Sequence, residues 1–259
     1  MVSARLEQVY WKLPHELRRT LVRTVFPGKY SALQELKRLV PDGTGLATLR
    51  PFVEHRCIFI HIPKTAGISV NAGLFGCNTG HHRTIGGYQA IFSRREFEAY
   101  FKFAFVRNPW DRVASAYFFL KQGGLHEGDR LWAAEHLAPY PSFEAFVRGW
   151  VRRDTVRLGR HFKPQADYLC LPGRKVSELD FIGFFENLRA DYDHVRGVLG
   201  TGAALPANNV TKSKHKDFRS YYTDETRAIV ADVYREDIEL LGYTFDNSSL
   251  EAQLARRTV

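Results

Sequence analysis

The chain has 259 residues, of which 44% are hydrophobic and 14% aromatic. This composition excludes a disordered protein and is sufficient for one full-sized hydrophobic core. The 37 lysines and arginines outnumber the 28 acidic residues and give a formal charge of +9, which favours anionic partners such as nucleotides, nucleic acid, acidic glycans or a membrane surface. Charge alone does not choose among them.

The segment around residues 17–25 has the spacing of an amphipathic helix. Its apolar positions are Leu17, Leu21, Val22 and Val25, and its basic positions are Arg18, Arg19 and Arg23. The pattern is typical of a helix whose apolar face packs on a protein core, and also of a helix that lies on a membrane surface. Packing is the favoured interpretation because such helices are far more common, and peripheral membrane attachment stays open as the alternative.

The cysteines and the hydropathy pattern bear on where the protein works. Cys57, Cys77 and Cys170 are odd in number and show no C-x-x-C spacing, which predicts reduced thiols rather than disulfides or a zinc site. No segment approaches 18 consecutive apolar residues, so the sequence predicts no membrane span. We therefore expect a cytoplasmic protein.

Three short apolar runs have the composition of parallel strands that are buried on both faces. They are CIFIHI (57–62), FKFAFV (101–106) and FIGFF (181–185). Helical patterns lie at 109–120, 142–151, 188–199 and 223–241, the last with Thr223 as N-cap and Gly242 as stop, and 121–142 is predicted to be an aromatic-edged loop. Strands that alternate with helices predict an α/β fold with a mostly parallel central sheet flanked by helices.

The sequence contains no repeat, low-complexity segment or long Ser/Gly linker. We therefore predict that residues 1–50 form a helical extension packed on the core and that residues 51–259 form one domain.

The first strand leads into IPKTAGISV, a tight basic turn before a helix. Free backbone N–H groups and the helix dipole attract an anion at such a point. Lys64 adds a full positive charge, the hydroxyls of Thr65 and Ser69 can donate hydrogen bonds, and Gly67 permits close backbone approach. The glycine frame of the G-x-x-x-x-G-K-[ST] loop is missing, and the second strand ends in Arg107 rather than an acidic magnesium ligand, so a magnesium-dependent kinase is disfavoured.

The second strand ends in FAFVRNPWDRVASAYFFL, which repeats the architecture of a buried strand and a polar turn. Pro109 suits the first turn of the next helix, so Ser115 falls about two turns inside it. Arg107 at the strand end can hold a phosphate bidentately, and Ser115 can add a hydrogen bond. Anion sites at two neighbouring strand ends predict a ligand with two separated anionic groups.

At these motifs the chain resembles the sulfotransferases, specifically the carbohydrate sulfotransferase branch called family 2. IPKTAGISV resembles the family's loop for a 5′-phosphosulfate, and FAFVRNPWDRVASAYFFL resembles its 3′-phosphate motif. The resemblance continues in order through RHFKPQADYLC, DFIGFFENL and NVTKSKHKDFRSYYTDETRAIVADVYREDIELLGYTF, so it covers residues 57–245. It departs from the family at Ile68, where many relatives have a second hydroxyl residue.

The resemblance implies a P-loop-like three-layer fold and a donor, 3′-phosphoadenosine 5′-phosphosulfate (PAPS), from which a sulfuryl group moves in line, without a metal, to a hydroxyl of a glycan, glycolipid or polysaccharide. The donor-binding residues that it implies are Lys64, Thr65, Ala66, Gly67, Ser69, Arg107, Ser115, Lys212 and Ser213. Lys64 would also neutralise the leaving phosphate. Lys214, His215 and Lys216 would face anionic groups of the acceptor.

The resemblance also implies a histidine as general base, because neutral imidazole is a suitable proton acceptor at pH 7. His82 in GHHRTIGGY ranks first, and His81 ranks second because a shift of one residue in the alignment would exchange them. His161 in RHFKPQ is a third candidate for which packing or substrate shaping is an equal interpretation. The sequence identifies neither the acceptor sugar nor the oligomeric state.

Two other classes of protein stay open. A nucleotide kinase-like phosphotransferase shares the predicted fold, and a non-catalytic protein that binds acidic polysaccharide would explain the positive charge. A nucleic-acid partner is disfavoured because no stretch interleaves aromatic with basic residues in the way that a single-strand groove does.

Overall fold

The computed structural model describes residues 4–40, 48–174, 177–205 and 217–256. In these ranges the strands are β1 (Cys57–Ile60), β2 (Phe101–Val106) and β3 (Phe181–Phe184). The helices are α1 (Ala4–Lys12), α2 (His15–Val25), α3 (Pro27–Glu35), α4 (Arg50–Glu54), α5 (Gly67–Phe75), α6 (Ile85–Ile91), α7 (Arg94–Ala99), α8 (Pro109–Lys121), α9 (Glu127–His136), α10 (Phe143–Trp150), α11 (Ala166–Leu169), α12 (Leu188–Leu199), α13 (Asp224–Val233), α14 (Arg235–Leu241) and α15 (Leu250–Arg256). Short 3₁₀ turns lie at Thr155–Arg157, Phe185–Asn187 and Phe218–Tyr221.

The three strands form a parallel sheet in the order β1, β2, β3 within the described ranges. Cys57 pairs with Phe101 at one end of the sheet, and Val106 pairs with Phe184 at the other. Parallel strands deliver their carboxyl ends to one edge, so the turns after β1 and β2 lie side by side. Helices flank the sheet, and the predicted α/β architecture is confirmed.

Aromatic side chains fill the core on the sheet. The rings of Phe59 and Phe103 stack across β1 and β2 at 4.9 Å, and Phe105 meets Phe103 edge to face at 6.4 Å. All three side chains are buried. Full burial of a phenylalanine contributes about 1.5–3 kcal/mol, so the strand ends that carry the polar turns are firmly held.

The predicted strands and most of the predicted helices match the structure, with small shifts at their ends. β2 and α12 have the predicted bounds, while β1 ends at Ile60 and leaves the predicted last two residues in the turn. The hydroxyl of Thr223 accepts a hydrogen bond from the N–H of Thr226 and caps α13 as predicted.

The single helix predicted over 223–241 is wrong, because the structure divides it at Tyr234 into α13 and α14. The hydroxyl of Tyr234 donates to the Phe162 carbonyl at 2.6 Å. The buried carboxylate of Asp237 accepts from the N–H groups of Gln165 and Ala166 at 2.9 and 2.7 Å. These contacts with a distant segment override the local helical pattern. The apolar spacing continues across Tyr234, so the sequence pattern gave no sign of the break.

The loop predicted over 121–142 is also wrong, because it contains the helix α9. Gly123 and Gly124 precede it with φ angles of 95° and 66°, which an L side chain rarely adopts. Asp129 in the first turn of α9 is only 3% exposed. A buried carboxylate therefore anchors a segment whose composition indicated a surface loop.

The packing predicted for the apolar face of α2 is wrong. Leu17, Leu21 and Val25 are 53%, 41% and 60% exposed, whereas Arg18 is only 5% exposed. Arg18 donates to the side-chain oxygen of Gln89 in α6, and its guanidinium lies 5.0 Å from the centre of the Trp11 ring. The helix thus packs on the protein through the side that carries His15 and Arg18, because Gln89 and Trp11 give the Arg18 guanidinium polar and aromatic partners.

The structure bears on two further predictions. Cys57, Cys77 and Cys170 are free thiols, as expected, while the cytoplasmic location inferred from them stays a prediction. In the described ranges, no helix combines the length and hydropathy that crossing a bilayer requires. The division into an extension over 1–50 and a domain over 51–259 also stays a prediction.

Candidate active site

The turn between β1 and α5 is tightly wound. Lys64 and Ala66 have φ angles of 71° and 66°, in the left-handed region that costs a residue other than glycine about 1–2 kcal/mol. The hydroxyl of the buried Thr65 donates to the Ile62 carbonyl at 2.9 Å and holds the turn closed. Strain of this kind is common at ligand-binding turns. Here the strained turn leads directly into the N-terminus of α5.

Gly67 begins α5 because there is no room for a side chain. A Cβ atom at this position would lie 2.0 Å from Cδ2 of His61. The His61 ring lies beneath the turn and stacks on Phe59 at 5.5 Å with an interplanar angle of 9°. The sequence indicated that the backbone at Gly67 approaches another group closely. Within the protein, that group is the side chain of His61.

The other two positions near the start of α5 face opposite ways. Ser69 is 6% exposed and Ile68 is 56% exposed. Ile68, the departure from the family pattern, thus points outward, while the predicted donor-binding hydroxyl of Ser69 is buried close to the helix N-terminus.

The side chain of Lys64 is half-buried and packs against an aromatic ring. Its ammonium nitrogen lies 3.7 Å from the centre of the Phe119 ring in α8, at cation–π distance. Burial and the neighbouring charge of Arg107 lower the pKa of Lys64 to about 8, while the charge of Asp129 opposes that shift. Lys64 is therefore a cation at pH 7 that has few solvent partners and a stronger field than a surface lysine.

Arg107 joins the two strand-end turns. Its guanidinium donates to both carboxylate oxygens of Asp111 at 2.7 and 2.8 Å. The remaining nitrogen, Nη1, donates at 3.1 Å both to the hydroxyl of Ser115 and to the carbonyl of Lys64. The structure therefore brings Lys64, Arg107 and Ser115 into one cluster, as the two motifs predicted.

Asp111 was not predicted as the partner of Arg107. Arg107 lies two residues before α8 and Asp111 lies in its first turn, and a spacing of four residues favours pairing of opposite charges where the chain winds into a helix. It was the signal that could have identified the pair. The Phe185 ring covers the other side of the guanidinium at 4.0 Å from its centre.

His82 has the tautomer that a general base requires. Its Nδ1 lies 3.0 Å from the carbonyl oxygen of His61. A carbonyl can only accept, so Nδ1 carries the proton and Nε2 keeps a lone pair. Burial lowers the pKa of His82, and the His61 carbonyl opposes that shift. The imidazole is therefore neutral at pH 7. His81 is exposed, and its backbone has a φ of 49°.

His82 lies between two other histidines. Its ring centre is 4.4 Å from that of His61 and 6.4 Å from that of His161. Burial, together with the charges of His82 and His81, holds the pKa of His61 well below its usual value. Burial also lowers the pKa of His161 to about 4. The structure thus brings His82 and His161 together in a cluster of neutral imidazoles.

The partner of His161 is Asp129, a residue that sequence analysis missed. Nε2 of His161 lies 3.1 Å from the Asp129 carboxylate, which also accepts from Arg160 at 2.6 Å and from the N–H of Leu125 at 3.1 Å. Burial favours the neutral form of Asp129, but these hydrogen bonds outweigh it and hold the pKa below its usual range. A Cβ atom on Gly124 would lie 2.3 Å from that of Asp129, so a glycine at this position leaves room for the buried carboxylate.

Five predicted residues cannot be located in this cluster. Lys212 and Ser213, predicted to cover the donor, and Lys214, His215 and Lys216, predicted to face the acceptor, lie outside the described residues.

Comparison with known proteins identifies the family. The family model described as the sulfotransferase family matches residues 52–244, about three-quarters of the chain. The chain belongs to the sulfotransferase family. The matched range includes Lys64, His82, Arg107, Ser115 and His161. The resemblance stated from the motifs is thereby confirmed.

Relatives of this sulfotransferase are named carbohydrate sulfotransferase 14. The human protein (Homo sapiens) is 30% identical over 178 residues, which cover 61% of this chain and 46% of the relative. The mouse protein (Mus musculus) is 29% identical over 178 residues, which again cover 61% of this chain and 46% of the relative. The zebrafish protein (Danio rerio) is 33% identical over 116 residues, 39% of this chain and 30% of the relative. The chain thus spans about half the length or less of these relatives, and no solved structure matches it.

Asp129→Asn is expected to weaken the site locally and to lower the pKa of Lys64 further. An amide cannot accept from Arg160, His161 and Leu125 as a carboxylate does, and loss of a buried charged acceptor costs about 2 kcal/mol of unfolding free energy. Loss of the negative charge also removes the one nearby group that raises the pKa of Lys64. Urea unfolding and NMR titration of the lysine would measure the two effects.

The control is Glu127→Gln, because Glu127 lies in the same helix and pairs with Arg130 on the surface. An exposed pair contributes less than about 1 kcal/mol. Equal stability and an equal Lys64 pKa in the two variants would contradict the role given to Asp129.

Proposed function

We propose that the protein transfers a sulfuryl group from PAPS to a hydroxyl of a carbohydrate acceptor. The observation that carries the proposal is the hydrogen-bonded cluster of Lys64, Arg107 and Ser115 at two neighbouring strand ends in a member of the sulfotransferase family. The carbohydrate acceptor rests on the names of the relatives. PAPS supplies the activated sulfuryl group and carries two separated anionic groups.

The residues of the cluster have the charges that such a donor requires. Lys64 and the N–H groups of Thr65, Ala66 and Gly67 lie at the N-terminus of α5, which suits the 5′-phosphosulfate. Arg107, directly after β2, donates to the hydroxyl of Ser115 in α8, and this pair suits the 3′-phosphate. Arg107 would exchange some of its bonds with Asp111 for bonds with that phosphate.

In the proposed reaction, the acceptor oxygen forms a bond to sulfur as the bond between sulfur and the bridging phosphate oxygen breaks. Nε2 of His82 takes the proton of the acceptor hydroxyl, and the ammonium of Lys64 stabilises the negative charge that forms on the phosphate. Both groups have the required state at pH 7, since His82 is neutral and Lys64 is protonated.

His161 is less suited than His82 to act as the base. Its Nε2 is directed to Asp129, and its other ring nitrogen, Nδ1, is buried from solvent. An acceptor hydroxyl would have to displace protein atoms to reach it. We propose instead that His161 and Asp129 support the site, with Asp129 holding negative charge near Lys64 so that the lysine stays protonated.

Arg107→Ala is expected to weaken PAPS binding about ten- to a hundredfold, because a hydrogen bond to a charged group contributes about 1.5–3 kcal/mol. Isothermal titration calorimetry with PAPS measures this. The matched control is Arg157→Ala, since Arg157 also binds an aspartate, Asp167, through two nitrogens. Unchanged affinity in Arg107→Ala, or an equal loss in Arg157→Ala, would contradict the assignment.

His82→Asn is expected to lower sulfate transfer about 10²- to 10⁴-fold and to leave the affinity for PAPS within about twofold, because the base contacts the acceptor rather than the donor. Labelled-sulfate transfer to a panel of glycans measures turnover, and calorimetry measures binding. His81→Asn is the control and should retain activity. Loss of activity in His81→Asn alone would reverse the order of the two histidines.

The affinity for PAPS is expected to fall as the pH rises through about 8, because Lys64 loses its proton there. Transfer should also fall at acidic pH, below about 6.5, because His82 becomes protonated and its pKa is lowered from that ordinary value. In Lys64→Arg the guanidinium stays charged, so the alkaline fall should disappear. A fall near pH 8 that persists in Lys64→Arg would assign it to another group.

A further inference from the structure

Exposed apolar side chains are concentrated in the first helices. Of the twelve large hydrophobic residues that are exposed in the described ranges, seven lie before residue 41. Five of these seven residues form a surface that we call the extension face. They are Val9 in α1, Leu17, Leu21 and Val25 in α2, and Phe26 directly after α2. The leucines and Val25 are spaced by four residues, so they form one stripe along α2.

The orientation of α2 makes this exposure informative. Its inner side carries Arg18, two of whose guanidinium nitrogens, Nε and Nη1, are buried without a hydrogen-bond partner among the described residues. His15 is on the same side, with Nε2 2.7 Å from the Gln89 carbonyl oxygen. Burial of an incompletely satisfied guanidinium and exposure of leucines are both unfavourable in water. The outward stripe is therefore suited to a partner that is itself apolar.

The charges around the extension face indicate the kind of partner. Residues 6–40 contain seven lysines and arginines and three glutamates, a net charge of +4. Lys12, Arg23, Lys29 and Arg38 are exposed, and so are the three glutamates, but residues 17–34, which carry the stripe, contain no acidic residue. A second copy of the chain would bring two positive surfaces together, whereas an anionic bilayer offers negative headgroups beside an apolar interior.

We propose that the extension face binds the surface of an anionic phospholipid membrane. Leu17, Leu21 and Val25 enter the boundary between headgroups and acyl chains, and Arg23 and Lys29 bind the headgroups. The helix lies in the plane of the surface, as its length of 11 residues requires. This inference does not depend on the reaction proposed above.

The test is flotation of the full chain with vesicles. We expect it to bind vesicles of mixed phosphatidylcholine and phosphatidylserine, and to bind phosphatidylcholine vesicles more weakly. Leu17→Gln/Leu21→Gln should reduce binding to the mixed vesicles about tenfold or more, because two apolar side chains are lost from the interface. Arg23→Ala/Lys29→Ala should reduce it by about fivefold per charge, with little effect on the uncharged vesicles.

The matched control is Leu131→Gln/Val198→Gln, which changes two aliphatic residues that are 59% and 50% exposed elsewhere. It should bind within about twofold of the unaltered chain. Thermal unfolding of each variant checks that all are folded. The proposal is overturned if the unaltered chain fails to bind mixed vesicles or if both glutamine pairs weaken binding equally. It is also overturned if Leu17→Gln/Leu21→Gln disperses a dimer without affecting flotation, which would assign the face to a second copy.

Discussion

The candidate site depends on the contacts of one guanidinium. Arg107 leaves the end of β2, yet its Nη1 reaches the carbonyl of Lys64 in the turn after β1, so one side chain fixes the distance between the two strand-end turns. Asp111 and Phe185 hold that side chain from two sides. The parallel sheet brings the turns to one edge, and the hydrogen bonds of Arg107 fix how the two turns lie relative to each other.

Burial decides the charge state of the groups around Arg107. Lys64 stays protonated although it is packed on Phe119, because the charge of Asp129 offsets part of the effect of burial and of Arg107. Burial outweighs the groups that raise the pKa values of His82 and His161, so both are neutral, even His161 with its carboxylate partner. Lys64 and His82 therefore have the charge states that the proposed reaction requires of them.

The sequence predicted the features that short-range patterns encode. Apolar runs identified the strands, capping residues such as Thr223 identified helix starts, and the motifs around Lys64 and Arg107 identified the family that the comparisons confirm. It failed where distant residues decide the structure. The break at Tyr234, the burial of Asp129 and the inward turn of Arg18 depend on partners far along the chain, and none leaves a periodic signal.

The pair formed by Arg107 and Asp111 has a consequence for turnover. Arg107 already holds an acidic partner of its own chain through two hydrogen bonds. An anion that binds Arg107 therefore displaces a carboxylate of the same chain rather than water. This competition lowers the affinity of Arg107 for every anion. The carboxylate also remains at hand when an anion departs, so departure does not leave an uncompensated charge. Asp111 is in this sense a resident counter-ion that favours release of whatever Arg107 binds.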